Sequence, residues 1–410
     1  MRSFSSLLTA LTLLQVVLGL SVPSRIGTKI PLKKRSDLVD EHGVINPDAL
    51  KRQLIRAQSK LQRGIRAYGK NTGTVHSLAQ KLTARNVGGV PLIAADRTLW
   101  YGSISVGTPS YEFTVDFDTG SSDLFLPGTN CNVNCAGHAL YDPSASATSR
   151  DQGRDFSLKF GDGSTSKGKV FHDTVEVAGL TATEQAVGAA TQYSDGFAVD
   201  QFPSDGLMGM AFPEISEFHE NPVFQTLIAQ GATTEPVFAF KLSASGSELT
   251  VGGIDNSLFS GQLTNIPVTT RGFWQVDLEA VSVDGNAVVN GLSSIIDTGT
   301  TLIMADNQSV AAFYAAIPGS KDASQTAGPG FFTVPCDSIP AISLTFGGEA
   351  FSISPDTFNL GRLSAESNDC VGGIAASKSV DFWVVGDVFL QNVYTVFNVG
   401  NAQVGFARLA

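Results

Sequence analysis

Two short stretches carry the residues best suited to chemistry, Phe117-Asp118-Thr119-Gly120-Ser121 and Ile296-Asp297-Thr298-Gly299-Thr300. Each sets a carboxylate after an apolar run and follows it with a hydroxyl residue, a glycine and a second hydroxyl residue. A single Asp-Thr-Gly is an ordinary turn. Here it occurs twice, and each copy is followed by two apolar residues and a glycine, Leu207-Met208-Gly209 and Val384-Val385-Gly386, lying 91 and 89 residues beyond the Asp. Matched spacing of this kind marks a duplicated unit. Two such units related by pseudo-symmetry bring one Asp from each to a common axis.

Carboxylates within hydrogen-bond reach of each other cannot both ionise cheaply, so the pair holds one proton between them. The ionised member acts as general base toward a water while the protonated member donates to a carbonyl oxygen, giving hydrolysis without a covalent acyl-enzyme. Gly120 and Gly299 are expected to permit close backbone approach. The hydroxyls of Ser121 and Thr300 are expected to reach the outer carboxylate oxygens, with Thr119 and Thr298 as further support. This chemistry calls for no cofactor.

The scaffold that must hold the pair is β-rich. A chain of 410 residues exceeds what one core sustains, about 250–300 residues, so two similar lobes are expected. With 42 Gly, 26 Phe and 16% charged residues, the composition suits short strands and tight turns, an all-β class. From Trp100 onward apolar and polar residues alternate between turn residues, as in Tyr101-Gly102-Ser103-Ile104-Ser105-Val106-Gly107. Short helices are expected over residues 223–230 and 308–316.

Charge divides the chain. Residues 22–85 hold 14 Lys/Arg against 4 Asp/Glu, whereas residues 86–410 hold 12 against 34. The acidic body excludes nucleic acid as a partner, because it has little with which to displace phosphate counterions. The basic part contains Lys33-Lys34-Arg35, a processing site, and a helical pattern over residues 47–68. There Leu50, Leu54, Leu61, Ile65 and Tyr68 form an apolar stripe that leaves Lys51, Arg52, Arg56, Lys60 and Arg63 elsewhere around the helix. Opposite net charges favour an inhibitory propeptide lying over the acidic body against a disordered basic linker or a membrane-surface helix. Body carboxylates paired with its cations should have depressed pKa values, so that acid loosens the contact.

At the N-terminus, Met1-Arg2 and the apolar run Leu7–Leu20 form a secretory signal too short to span a membrane, which takes about 20 residues. The expected divisions are 1–21 signal peptide, 22–85 propeptide, 86–264 first lobe and 265–410 second lobe, with a cut near Arg85. The product is expected to be a secreted monomer, or one delivered to an acidic vacuole, without a membrane partner. Four cysteines allow three pairings, of which Cys131–Cys135 with Cys336–Cys370 keeps each bond within one half of the chain. His138 makes no metal site, since no second Cys/His pair follows at ligand spacing. Asn307-Gln308-Ser309 is a glycosylation acceptor sequence.

Over residues 99–410 the chain resembles the pepsin family of aspartic proteases, particularly secreted fungal pepsins. The resemblance rests on Phe113-Thr114-Val115-Asp116-Phe117-Asp118-Thr119-Gly120-Ser121, Asp205-Gly206-Leu207-Met208-Gly209, Gly252-Gly253-Ile254-Asp255 and Val385-Gly386-Asp387-Val388-Phe389. It implies a bilobal β fold, a cleft for an extended peptide or protein substrate, and a hairpin flap tipped by Phe160-Gly161-Asp162-Gly163. The family usually carries Tyr where Phe160 stands and Trp where Phe125 stands, two side chains that bond each other; replacing both with Phe leaves an apolar contact. Asp116 shares a strand face with Asp118, and in similar fungal enzymes acids there and at Asp162 accompany acceptance of Lys before the scissile bond, besides large apolar residues. A catalytically inactive pepsin-like binding protein is the alternative reading, against which both motif copies stand intact.

Overall fold

The computed structural model describes residues 27–35, 38–81, 99–159, 165–243 and 246–410. The signal segment 1–21, the cut near Arg85 and the positions Phe160, Gly161 and Asp162 lie outside the described residues.

Alternating sequence becomes sheet throughout the body. Leu99–Val106 and Tyr111–Asp118 pair antiparallel as a hairpin at the heart of an eight-stranded sheet. Gly206–Gly209 joins Tyr111–Asp118 in parallel, with Asp118 opposite Gly209, and Leu124–Pro127 pairs with its other edge. The second half repeats the plan in a seven-stranded sheet. There Trp383–Val385 lies parallel to Asn286–Ile296, with Val385 opposite Ile296, while Ile303–Asp306 runs antiparallel beside it. The matched sequence spacing is thus the length of chain needed to leave the Asp turn, build a lobe and return beside it. Gly209 ends the first returning strand and Gly386 directly follows the second, because a Cβ on Gly209 would collide with the Ser122 and Asp123 amides, and one on Gly386 with the Thr300 carbonyl.

A six-stranded sheet joins the lobes: Val237–Lys241, Glu248–Val251 and Phe259–Pro267 share it with Val393–Asn398 and Gln403–Leu409. One of its two edge strands is Thr28–Pro31, from the basic segment. The 264/265 division falls inside Phe259–Pro267. Large aromatics fill the junction: the Trp274 ring lies 4.4 Å from Phe212 and 5.0 Å from Phe397, and its Nε1 donates to the Met210 carbonyl at 3.1 Å. Each such buried ring contributes about 1.5–3 kcal/mol of transfer free energy. A smaller four-stranded sheet carries the Cys336–Cys370 disulfide at its end, and Cys131–Cys135 closes a loop of the first lobe, the pairing favoured from the sequence.

The expected short helices occur as Val223–Ala229 and Asn307–Ala315. The long helix runs Pro47–Thr72, one turn beyond the apolar stripe. Asn46 caps its start by accepting from the Ala49 amide, Pro47 takes the first helical position, and Gly73 ends it at φ 69°. Arg52, Arg56, Lys60 and Arg63 are buried together with the apolar residues Leu50, Leu54, Leu61 and Ile65. The basic side is covered because it lies in the cleft between the acidic lobes.

Candidate active site

Asp118 ends its strand and Asp297 follows the equivalent one, so the two turns meet across the junction of the lobes. The contact is reciprocal. The Thr119 amide donates to Thr298 Oγ1 at 3.1 Å and the Thr298 amide to Thr119 Oγ1 at 3.0 Å. Each hydroxyl donates in turn across the junction, Thr119 to the Ile296 carbonyl at 3.0 Å and Thr298 to the Phe117 carbonyl at 2.7 Å. Four bonds between buried groups fix the turns against each other, since leaving any one donor or acceptor unmatched costs about 1–3 kcal/mol.

Each carboxylate is then held from its own turn. Asp118 Oδ1 accepts from the Gly120 amide at 2.9 Å and Oδ2 from Ser121 Oγ at 2.6 Å. In the second copy, Asp297 Oδ1 accepts from the Gly299 amide at 3.0 Å and Oδ2 from Thr300 Oγ1 at 2.7 Å. The outer oxygens meet the hydroxyls as expected. The glycines serve the opposite partner: a Cβ on Gly120 would stand 2.6 Å from both Asp297 oxygens, and one on Gly299 would overlap Asp118 Oδ1.

The inner oxygens share a cation. Lys60 Nζ lies 2.8 Å from Asp118 Oδ1 and 2.7 Å from Asp297 Oδ1, with all three side chains no more than 3% exposed. The sequence places Lys60 on the basic side of the helix but does not single it out. Burial opposes ionisation of Asp118; the Lys60 charge, with bonds from Lys60, Ser121 and Gly120, prevails and lowers its pKa to about 2. Asp297 moves upward, because burial and the neighbouring Asp118 outweigh Lys60.

Asp116 is also buried, and among the described residues neither of its oxygens meets a hydrogen-bond donor. Burial, reinforced by Asp118 and only partly offset by Arg56 and Lys60, raises it to about 7. Arg56 reaches from the helix over the rings of Phe197 and Phe202, 5.5 and 5.3 Å from their centroids. Phe125 packs edge-on against Phe197 at 5.5 Å and Tyr193 at 6.0 Å in the same aromatic cluster. Phe197 and Phe202 escape the sequence reading, which has no local motif to mark them. His138 is a packed core residue whose Nε2 donates to the Phe197 carbonyl at 2.9 Å.

The expectation that docking lowers the body's carboxylates needs correction. Asp118 is lowered, and so is Asp255, where bonds from Lys29 and Ser257 overcome burial. Asp116, Asp123, Asp297 and Glu217 are all raised, with burial the largest cause in each. At these four acids burial outweighs the nearby cations of the helix.

The profile of the family described as "Eukaryotic aspartyl protease" matches residues 99–409. Among curated proteins, the "Aspartic protease" of Phaffia rhodozyma is 45% identical over 316 residues, 76% of either chain. The "Pepsin A" of Sus scrofa is 31% identical over 96% of this chain and 99% of its own, and the "Chymosin" of Camelus dromedarius is 32% identical over 97% and 99%.

Proposed function

The chain belongs to the pepsin-like eukaryotic aspartyl protease family, and we propose that it is a latent precursor whose residues 22–85 block the cleft until acid frees an endopeptidase built on Asp118 and Asp297. Aspartic-type endopeptidase activity is what family membership establishes. The observation that carries the latent reading is Lys60, which occupies the space between the two carboxylates that a water would need.

Once the helix leaves, the dyad shares one proton. In this reading Asp118 takes a proton from the water as its oxygen attacks the peptide carbonyl, while Asp297 donates its proton to the carbonyl oxygen. The tetrahedral diol then collapses: Asp118 passes its proton to the amide nitrogen, the C–N bond breaks, and a diol hydroxyl returns a proton to Asp297. The bonds from Gly120, Ser121, Gly299 and Thr300 hold both carboxylates in place through these transfers. Incubation at pH 3.5 should shorten the chain and bring on hydrolysis of denatured haemoglobin, blocked by a statine-type peptide. A chain that stays intact and silent would overturn the reading.

The subsite beside the dyad is proposed to take large apolar side chains or Lys before the scissile bond. Support comes from Arg56, a cation already lying over Phe197 and Phe202 and felt by Asp116. Hydrogen bonds to a charged group are worth about 1.5–3 kcal/mol, so Asp116→Asn should lower kcat/KM for a Lys peptide roughly 10–100-fold and change a Phe peptide little. Because Asp116 must ionise to attract Lys, the native preference for Lys should rise with pH. Equal losses on the two peptides would exclude Asp116 from this role.

Release into a secretory lumen fits the N-terminal apolar run and the two disulfides. Asn307 is exposed at the first position of the helix Asn307–Ala315, which supports its use as a sugar acceptor there. Among the described residues no helix is long and apolar enough to cross a membrane.

A further inference from the structure

If acid opens the cleft, some group at the interface must gain a proton on opening, and most of the buried carboxylates have the wrong sign. A carboxylate raised by docking takes up protons more readily when covered, so acidification favours the covered form. Asp118 and Asp255 have the right sign, but both lie below the ordinary value of 3.8 and so act only in strong acid. Among the described residues of the basic segment, the histidine buried against the body is His76.

His76 follows the helix's Gly73 cap and is 1% exposed. Its ring meets Tyr68 of the helix edge-on at 4.7 Å and Phe273 of the body edge-on at 5.5 Å. Next to it Ser77 Oγ lies 3.0 Å from Thr270 Oγ1 and donates to Gln275 Oε1 at 3.2 Å, so the segment is pinned to the strand that follows Phe273. Nδ1 accepts from the Leu78 amide at 3.2 Å, which puts the neutral ring's proton on Nε2. Nε2 faces the Gly272 backbone, and among the described residues it has no acceptor. A second proton would have to go on Nδ1, against the Leu78 N–H. Both nitrogens therefore oppose the imidazolium.

No charge relieves this: among the described residues Tyr68 is the titratable group packed against the ring, and the nearest cations of the helix end and of the body are engaged elsewhere. Lys70 is drawn to Glu217 at 3.9 Å, Arg66 also acts on Glu217, and Arg271 sits 5.0 Å over the Phe212 ring. Burial alone lowers His76, to about 4.

We propose that His76 is the acid sensor of the latch: neutral, it clamps the end of the basic segment against Phe273, and protonation expels it and opens the cleft. The inference rests on the reading of residues 22–85 as an inhibitory segment. A histidine that returns to its ordinary value of 6.5 on release gives a docking contribution that is full above pH 6.5 and lost as pH falls toward 4. Linkage makes the open form about 30-fold more favoured at pH 5 than a non-titrating residue would allow, with almost no effect at pH 7.

The test compares the full native chain with His76→Phe, which keeps both edge-on ring contacts and cannot take a proton. Opening is read as the rate of labelling by a fluorescent statine-type inhibitor at pH 7, 6, 5 and 4. His76→Phe should label like the native chain at pH 7 and about 30-fold more slowly at pH 5, its midpoint moving to lower pH. Matching profiles in the two chains would overturn the assignment to His76. A native chain whose labelling does not change with acid would instead overturn the inhibitory reading itself. Should His76→Phe not be recovered folded, His76→Asn, neutral and smaller, makes the same comparison.

Discussion

Asp118→Asn should abolish both self-shortening at pH 3.5 and hydrolysis of added unfolded protein, with kcat down at least about 10³-fold and little change in KM. Asn accepts and donates through groups of the same shape, so the bonds from Gly120 and Ser121 have partners and the turn keeps its place. What disappears is a group able to take a proton from water. Asp297→Asn should match that loss, because the protonated partner is then a fixed amide that cannot pass its proton to the carbonyl. The double variant should be hardly worse than either single one, since residues acting as one unit are not additive. Unchanged thermal melting would place the loss in the chemistry. Substantial activity in either single variant, with melting unchanged, would refute the shared-proton mechanism.

The dyad was legible because its supports are local: Asp to Ser121 or Thr300 is a separation of three residues, and the motif displays it twice. The return strands were legible as equal spacing, although the reason for their glycines, the Ser122 and Thr300 backbones, appears only in three dimensions. The exchange between Thr119 and Thr298 spans 179 residues, so sequence names the residues but not the bonds. For the helix, apolar periodicity predicts one covered side and an end at Tyr68. Gly73 in the left-handed region carries it on to Thr72, and the cleft buries the charged side as well. Net charge likewise gives the attraction between segment and body but not the balance at each carboxylate. That balance is set by how deeply each carboxyl is buried against the bonds and charges it meets, and Asp116, Asp123, Glu217 and Asp297 are raised.

Lys60→Met should make the precursor leaky where the native chain is most tightly shut. Lys60 is the only described cation within 4 Å of either Asp118 or Asp297, and its own pKa is raised: burial works against the charge, and the two aspartates overcome it. Removing one partner of a buried ion pair costs about 3–5 kcal/mol, which lowers the ratio of closed to open chains by roughly 10²–10³ or more. Methionine fills most of the lysine's volume, so the loss measures charge more than packing. Its pH dependence separates it from a general loosening. Without Lys60 the covered dyad can be neutralised only by taking up protons, so the defect should be greatest at pH 6.5–7 and shrink toward pH 4, as acid supplies them. Inhibitor labelling at pH 6.5 should rise by at least about 10²-fold over the native chain, while the two converge near pH 4. A variant as silent as the native chain at pH 6.5 would mean that the helix is held by its apolar stripe and His76 alone, and that the contact with Asp118 and Asp297 contributes position without latching the cleft.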